Sequence, residues 1–323
     1  MNGLMGRGSV KLAIKGLLTA VLLWAAFRTV ELDAVGKLLS GIDVWWALAA
    51  VGMTGMIIVA DATLLAVVMR IFGRGVPGRN ALLYSLVGWF FSNVAPSTVG
   101  GDIFRGIQLS RVGTPLRAAV RMILAIRLLS LATLVVVMFA GFPVALGLVH
   151  DQLDILFLGA ALFISAAALV ALYLLAEFPW SFPALDRWAI VDKLKTVSRD
   201  FQSFLRPSRE VAGAWLSSGA QHVFRVGALA CLAAGLGLAI PFDLLFALTP
   251  AALLVAMVPI SFGGWGVREL TFVYFLGTAG VSAEAALSLS VAYGLLRIFV
   301  GAVGGVTWVL IGEEHFRVDA AQG

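Results

Sequence analysis

Long apolar runs decide what this chain can fold into. A helix needs about 20 apolar residues to cross the hydrocarbon core of a bilayer. We interpret 12–30, around the apolar run Leu17 to Phe27, as a retained first span, because no small-x-small cleavage site follows it. Five further runs are each about 20 residues or more, at about 44–69, 122–142, 155–176, 211–237 and 285–311. With only 13% charged residues, against about 25% in soluble domains, the sequence predicts a polytopic all-α membrane protein with six full spans.

Two further apolar stretches, at about 80–95 and 244–258, are too short to span, and each leads into a proline followed by paired glycines. Lys and Arg near span ends stay on the cytoplasmic side. Basic residues flank the first stretch on both sides, whereas the loops around the second contain acids but no Lys or Arg. We therefore predict two re-entrant hairpins, at about 80–110 and 244–279, that enter from opposite faces. The same rule places both termini in the cytoplasm.

The flanks of the two hairpins predict an internal repeat within a single membrane domain, 1–323. Residues 12–142 and 155–311 each form the series span, connector, span, hairpin, span. The second connector, 186–206, has an apolar stripe at helical spacing opposite basic residues, which is typical of a helix in the membrane interface. Because the first connector is external and the second cytoplasmic, the halves are related by inversion. Inverted repeats with broken helices are the architecture of alternating-access carriers.

Charged side chains inside the membrane segments identify the candidate site, because each is costly there and needs a partner or a function. Five arginines outnumber three acids: Asp61, Asp102, Arg105, Arg127, Arg225, Arg268, Glu269 and Arg297. Arginine binds phosphate bidentately through its planar fork, so the excess of positive charge favours an anionic ligand.

The two short stretches share the pattern Pro-x3-Gly-Gly-x3-Arg, which adds to the anion site. A helix that restarts after paired glycines presents free N–H groups and a positive dipole end. We expect Arg105 and Arg268 to converge on one phosphate. The full set of predicted lipid-binding residues is Arg105, Arg268, Gly100, Gly101, Gly263, Gly264, Asp102, Glu269, Arg297, Arg225 and Asp61.

Purely structural roles are the alternatives for these charges. Asp61 and Arg225 occupy near-equivalent positions before their motifs, so they can pair across the bundle. Arg105 and Arg268 can simply neutralise the acids beside them. We interpret Arg127 as an interfacial anchor near the cytoplasmic end of its span.

Other chemistry finds little support. The single cysteine, Cys231, allows no intrachain disulfide, and three scattered histidines predict no zinc site. The sequence lacks a Walker loop, and a net charge of +5 is too small to indicate nucleic-acid binding. We expect no cofactor. Glu31 and Asp33 in the first external loop leave one enzymatic alternative, a glycosyltransferase that uses a lipid-linked sugar.

The segments from Asn93 to Arg105 and from Val258 to Glu269 resemble the lysylphosphatidylglycerol synthase transmembrane (flippase-like) family. In bifunctional members this membrane part is thought to move aminoacylated phosphatidylglycerol between leaflets, and a C-terminal soluble domain makes that lipid. Because the sequence ends at Gly323, shortly after the last span, the resemblance does not imply synthase activity here. Stand-alone members resemble accessory proteins of envelope, hopanoid or glycolipid pathways.

The sequence thus predicts a multi-pass protein of the bacterial inner membrane that translocates or binds a lipid with an anionic phosphate headgroup, and that is not an enzyme. The alternative from another class is a non-transporting scaffold for an enzyme of envelope-lipid or glycolipid biosynthesis.

Overall fold

A computed structural model describes residues 17, 21, 23, 24, 32–94, 99–177, 189–257, 261 and 264–311. Within these residues the chain is helical and contains no strand. The predicted first span and the prolines of both motifs lie largely outside the described residues. The helices, numbered along the chain, are α1 (Leu32–Ser40), α2 (Val44–Ile71), α3 (Gly78–Val94), α4 (Gly100–Arg111), α5 (Leu116–Leu148), α6 (Gln152–Glu177), α7 (Ala189–Gln202), α8 (Arg209–Gly235), α9 (Phe242–Ala256), α10 (Val267–Gly277) and α11 (Ala283–Ile311).

Four of these helices are long and apolar enough to cross a bilayer: Val44–Ile71, Leu116–Leu148, Gln152–Leu175 and Ala283–Ile311. They contain four of the predicted spans, and the prediction of a polytopic all-α membrane protein is confirmed. The predicted span at 211–237 forms α8, which has 27 residues but is not among the four. Its middle carries Gln221, His222 and Arg225, which lower its apolar character.

Each motif coincides with a break between two short helices. The longest of the four, α3, has 17 residues, so it is about 26 Å long and shorter than the roughly 30 Å hydrocarbon core. Its partner α4 has 12 residues, and the second pair, α9 and α10, has 15 and 11. None of these four helices spans the core alone, although α3 packs against α4 and α9 against α10.

The two halves of the chain interlock. Helices α2 and α8 form the most extensive helix pair, while α3 packs against α11 and α9 against α5. The first arm of each helix pair therefore lies on the last span of the opposite half. Glycines allow both close approaches, because a Cβ on Gly141 would lie 2.9 Å from the Cα of Ala247, and one on Gly304 would overlap the carbonyl of Leu86. The inverted repeat stays a prediction, to which this reciprocal packing adds support.

Replacing Gly304 with alanine is expected to destabilise the fold by forcing α11 away from α3. The added Cβ would lie 2.9 Å from the carbonyl carbon of Leu86, and backbone cannot move aside as a flexible side chain can. Overpacking of this kind typically costs about 1–3 kcal/mol. Thermal unfolding of the purified protein measures it. The matched control is Gly55→Ala in α2, where nothing lies within 4 Å of the new Cβ. Equal melting temperatures for Gly304→Ala and Gly55→Ala would contradict the close packing.

Helix α7 lies within the predicted interfacial helix at 186–206 and is fastened to the bundle by polar contacts. The Asp200 carboxylate accepts from Nε of Arg121 on α5 at 2.8 Å, and Gln202 donates to the carbonyl of Tyr173 on α6 at 3.0 Å. Phe201 belongs to the apolar stripe that is predicted to lie in the membrane interface, yet it is only 4% exposed and packs inside the protein. The exposed side of α7 keeps Lys193 and Arg199.

Candidate functional site

A cavity of about 200 Å³ lies where both broken helix pairs meet the long helices. Helices α3, α5, α8, α9, α10 and α11 all contribute to its wall. The lining residues are Trp89, Arg127, Ser130, Leu134, His222, Arg225, Leu253, Ala256, Met257, Gly264, Arg268, Tyr293 and Arg297. We call this space the arginine cavity.

Four of the lining residues are arginines, one each from α5, α8, α10 and α11. Among the described residues that line the cavity, none is acidic. Arg297 lies at the midpoint of the 29-residue helix α11, about 21 Å along the axis from either end. The positive charge is therefore concentrated near the middle of a membrane-spanning helix, where charge is most costly.

Arg268 is held by the carboxylate that follows it. Its Nε and Nη2 both donate to Oε1 of Glu269, the Nε bond at 3.1 Å, and the two residues are 2% and 0% exposed. Ser290 of α11 donates to the same oxygen at 3.3 Å. The other oxygen of Glu269 accepts the N–H of Gly266 at 2.6 Å, so the carboxylate also caps the start of α10. The faces of Trp265 and Tyr293 lie 4.6 and 6.0 Å from the guanidinium carbon.

Glycine is required where the second helix restarts. Gly264 and Gly266 have φ angles of 83° and 85°, in the left-handed region that residues other than glycine rarely adopt. Gly264 lines the arginine cavity, while Gly263 lies outside the described residues. Gly294 in α11 leaves room for the side chain of Arg268, because a Cβ at this position would overlap the guanidinium group.

Arg225 is oriented by a neutral histidine. Nη1 of Arg225 donates to Nδ1 of His222 at 3.1 Å, and Nε2 of His222 lies 3.1 Å from the carbonyl oxygen of Ser130. Because that carbonyl can only accept, Nε2 carries the proton and Nδ1 is free to accept from the guanidinium. His222 therefore orients Arg225 without neutralising its positive charge.

Arg297 has an aromatic neighbour instead of an acidic one. Its guanidinium carbon lies 5.9 Å from the ring centre of Trp89 on α3. Asn93, near the end of α3, donates to the backbone carbonyl of Arg297 at 3.2 Å, so the first broken helix pair reaches α11 at this level. In the described part of the chain, neither Arg297 nor Arg225 has a carboxylate within 4 Å.

A separate ion network holds the first motif. Arg105 pairs with Asp61 of α2, and its Nη1 lies 3.6 Å from the carboxylate of Asp102. Asp102 also accepts from Arg127, whose side chain lines the arginine cavity. Asp61 and Arg105 are each 8% exposed and do not line the cavity. Arg127 therefore links the network to the cavity.

The sequence matches the lysylphosphatidylglycerol synthase TM region family over residues 12–305. This match covers most of the 323 residues. The chain belongs to that family. No curated protein matched the sequence.

Membership of the lysylphosphatidylglycerol synthase TM region family confirms the resemblance carried by the two motifs and relates the chain to membrane lipid metabolism or translocation. The structure brings Arg225, Arg268, Arg297 and Gly264 of the predicted site to one cavity, with Glu269 directly behind Arg268. Other predicted residues lie elsewhere, in the ion network or in the packing of α4 on α3: Asp61, Asp102, Arg105, Gly100 and Gly101. A Cβ on Gly101 would overlap the carbonyl of Gly88.

Several lining residues of the cavity are not among the predicted lipid-binding residues. Arg127 was expected to anchor at the membrane surface, but α5 begins at Leu116, six residues before the predicted span, so Arg127 lies deeper. The spacing of His222 and Arg225 is a sequence signal for His222, since residues three apart share a helix face. The sequence contains no such signal for Trp89 and Tyr293, because aromatic residues are frequent throughout apolar helices.

Proposed function

We propose that the protein binds the anionic phosphate headgroup of a membrane lipid in the arginine cavity and carries it between leaflets. One observation carries this proposal: four arginines from four helices face one cavity whose described lining contains no acid. Neutral ligands gain nothing from such a charge excess, and cations are repelled by it. A phosphate has oxygens on several sides and accepts bidentate hydrogen bonds from more than one guanidinium group.

The cavity also suits the transfer of a headgroup out of water. A phosphate that enters the membrane loses its hydration, and the arginines of the cavity would replace the lost hydrogen bonds and offset the charge. Apolar side chains form part of the remaining wall, at Leu134, Leu253, Ala256 and Met257. The acyl chains need not enter, because they are already soluble in the bilayer.

Alternating access supplies the movement in this proposal. The two broken helix pairs lie in opposite halves of the chain, and each rests on the last span of the other half. Rocking of one half against the other would open the cavity first to one leaflet and then to the other. We place the protein in the bacterial inner membrane with both termini cytoplasmic. Transport in this account is non-covalent and needs no catalytic residue.

Lipid retention tests the binding step. Wild-type protein purified in mild detergent is expected to retain phosphate-containing lipid in native mass spectra, and Arg225→Gln is expected to lose most of it. The glutamine keeps a hydrogen-bond donor but removes the charge that His222 leaves uncompensated. The control is Arg70→Gln, at an exposed position near the end of α2. Equal lipid retention by all three proteins would contradict the proposed site.

Cysteine labelling tests the opposed hairpins. The two variants are Arg111→Cys and Ala279→Cys, each in a Cys231→Ser background. Arg111 is the last residue of α4, and Ala279 lies just after the end of α10. We expect an impermeant maleimide to modify position 111 only from the cytoplasmic side and position 279 only from the other side, because only the first is flanked by basic residues. Modification of both positions from one side would remove the inverted repeat on which alternating access depends.

A further inference from the structure

The charges of the described residues in and around the cavity do not cancel, and the excess positive charge predicts the charge of the ligand. The membrane segments hold five arginines and three carboxylates in and around the cavity. Arg105, Arg268, Asp61 and Glu269 are buried, and Arg127, Arg225, Arg297 and Asp102 are partly buried. Arg105 and Arg127 are matched by Asp61 and Asp102. Arg268 is matched by Glu269.

Two positive charges remain, on Arg225 and Arg297. Within the described residues, the neighbour of Arg225 is the neutral His222, and that of Arg297 is the ring of Trp89. Both neighbours orient a guanidinium group without neutralising it. Two uncompensated charges near the middle of a bilayer are costly, so the site gains most from a ligand that brings two negative charges.

The described lining of the cavity also disfavours an amine. An ammonium group needs a carboxylate, a carbonyl cluster or an open aromatic face. None of the described lining residues is acidic. The lining rings of Trp89 and Tyr293 each already have a guanidinium group at about the limiting distance of a cation–π contact, from Arg297 at 5.9 Å and from Arg268 at 6.0 Å.

We infer that the ligand of this cavity is a lipid whose headgroup carries two negative charges and no ammonium group, as a phosphomonoester or a diphosphate does. This inference rests on the proposed function and narrows it to a class of lipid. A phosphodiester lipid such as phosphatidylglycerol would leave one positive charge uncompensated. Phosphatidylglycerol esterified with lysine has one phosphate and two ammonium groups, so it would increase the positive charge.

Binding of four short-chain lipids to the full chain in detergent tests the inference. At neutral pH we expect dioctanoyl phosphatidic acid, a phosphomonoester, to bind at least about tenfold more tightly than dioctanoyl phosphatidylglycerol, a difference of about 1.4 kcal/mol. Dioctanoyl phosphatidylethanolamine and short-chain lysyl-phosphatidylglycerol should bind more weakly than phosphatidylglycerol. Equal affinity for the first two lipids, or tighter binding of either amine-bearing lipid, would overturn the inference and leave the proposed function standing. Failure of all four to bind would remove the proposed function itself.

The pH dependence of lipid affinity provides a second test, because a phosphomonoester loses its second proton with a pKa of about 6. Phosphatidic acid carries one charge well below that pH and two above it, so its affinity should rise between pH 5 and pH 8. Phosphatidylglycerol has no proton to lose in this range, so its binding reports any titration of the protein. The groups that face the ligand or lie directly behind it are Arg127, Arg225, Arg268, Arg297, His222, Tyr293, Asp102 and Glu269. A parallel rise for both lipids would assign the effect to these groups and overturn the inference.

A variant separates charge from shape. Arg297→Gln removes one of the two uncompensated charges, and we expect the preference for phosphatidic acid over phosphatidylglycerol to fall towards unity. Arg225→Gln is expected to do the same and serves if the first variant does not fold. The exposed Arg70→Gln should keep the full preference. An unchanged preference in either cavity variant would overturn the inference.

Discussion

Arg297→Gln is expected to weaken lipid binding strongly while leaving the thermal stability unchanged or higher. Arg297 has no carboxylate partner in the described part of the chain and shares its cavity with three other arginines. Loss of a desolvated, charge-assisted contact to a phosphate typically costs about 2–5 kcal/mol, or roughly 30-fold or more in affinity. Removal of one of several like charges relieves repulsion in the ligand-free protein. Lipid affinity and the melting temperature of the same preparation measure the two effects.

The matched control for this experiment is Arg268→Gln, in the same cavity. Arg268 is paired with Glu269, so its replacement should lower both lipid affinity and melting temperature. The two variants therefore distinguish an arginine that serves ligand binding alone from one that also stabilises the fold. If Arg297→Gln melts as low as Arg268→Gln and still binds lipid, Arg297 is structural and the site is misassigned.

Glu269→Gln is expected to be the most destabilising conservative substitution in the site. Glu269 is 0% exposed, and its two oxygens accept from Arg268, Ser290 and the N–H of Gly266. The amide removes the negative charge and one acceptor, which leaves Arg268 buried without compensation. Breaking a buried ion pair from one side typically costs about 3–5 kcal/mol. Thermal unfolding followed by tryptophan fluorescence measures the loss.

The control for Glu269→Gln is Glu210→Gln, an exposed acid in the first turn of α8. Surface substitutions of this kind usually change stability by no more than about 0.5 kcal/mol. A melting temperature of Glu269→Gln equal to that of Glu210→Gln would show that the pair with Arg268 contributes nothing to the fold.

The long helices were predictable because the cost of exposing apolar surface and unpaired backbone acts on short windows of sequence. The same holds for the two breaks, since Pro and paired Gly interrupt a helix wherever they occur in one. Helix α8 shows the limit of this reasoning. Its polar residues His222 and Arg225 line the cavity, and only the surrounding helices make them tolerable.

The membership of the site was only partly predictable. A charged residue in an apolar run signals function without naming its partner, so Arg225, Arg268 and Arg297 were found individually. Which acid meets which arginine depends on helix packing, and Asp61 meets Arg105 instead of Arg225. The two motif arginines have equivalent places in the sequence but different surroundings, because only the second lines the cavity.

Lipid translocation in proteoliposomes tests the central claim most directly. The vesicles contain a trace of phosphatidic acid with a fluorescent acyl chain, and an impermeant reductant bleaches only the label in the outer leaflet. With wild-type protein or Arg70→Gln, we predict bleaching that continues past the outer leaflet's share as inner lipid is carried out. With a double variant, Arg225→Gln and Arg297→Gln, bleaching should stop at the level of protein-free vesicles. Continued bleaching by a correctly inserted double variant at the wild-type rate would contradict the assignment of transport to the arginine cavity.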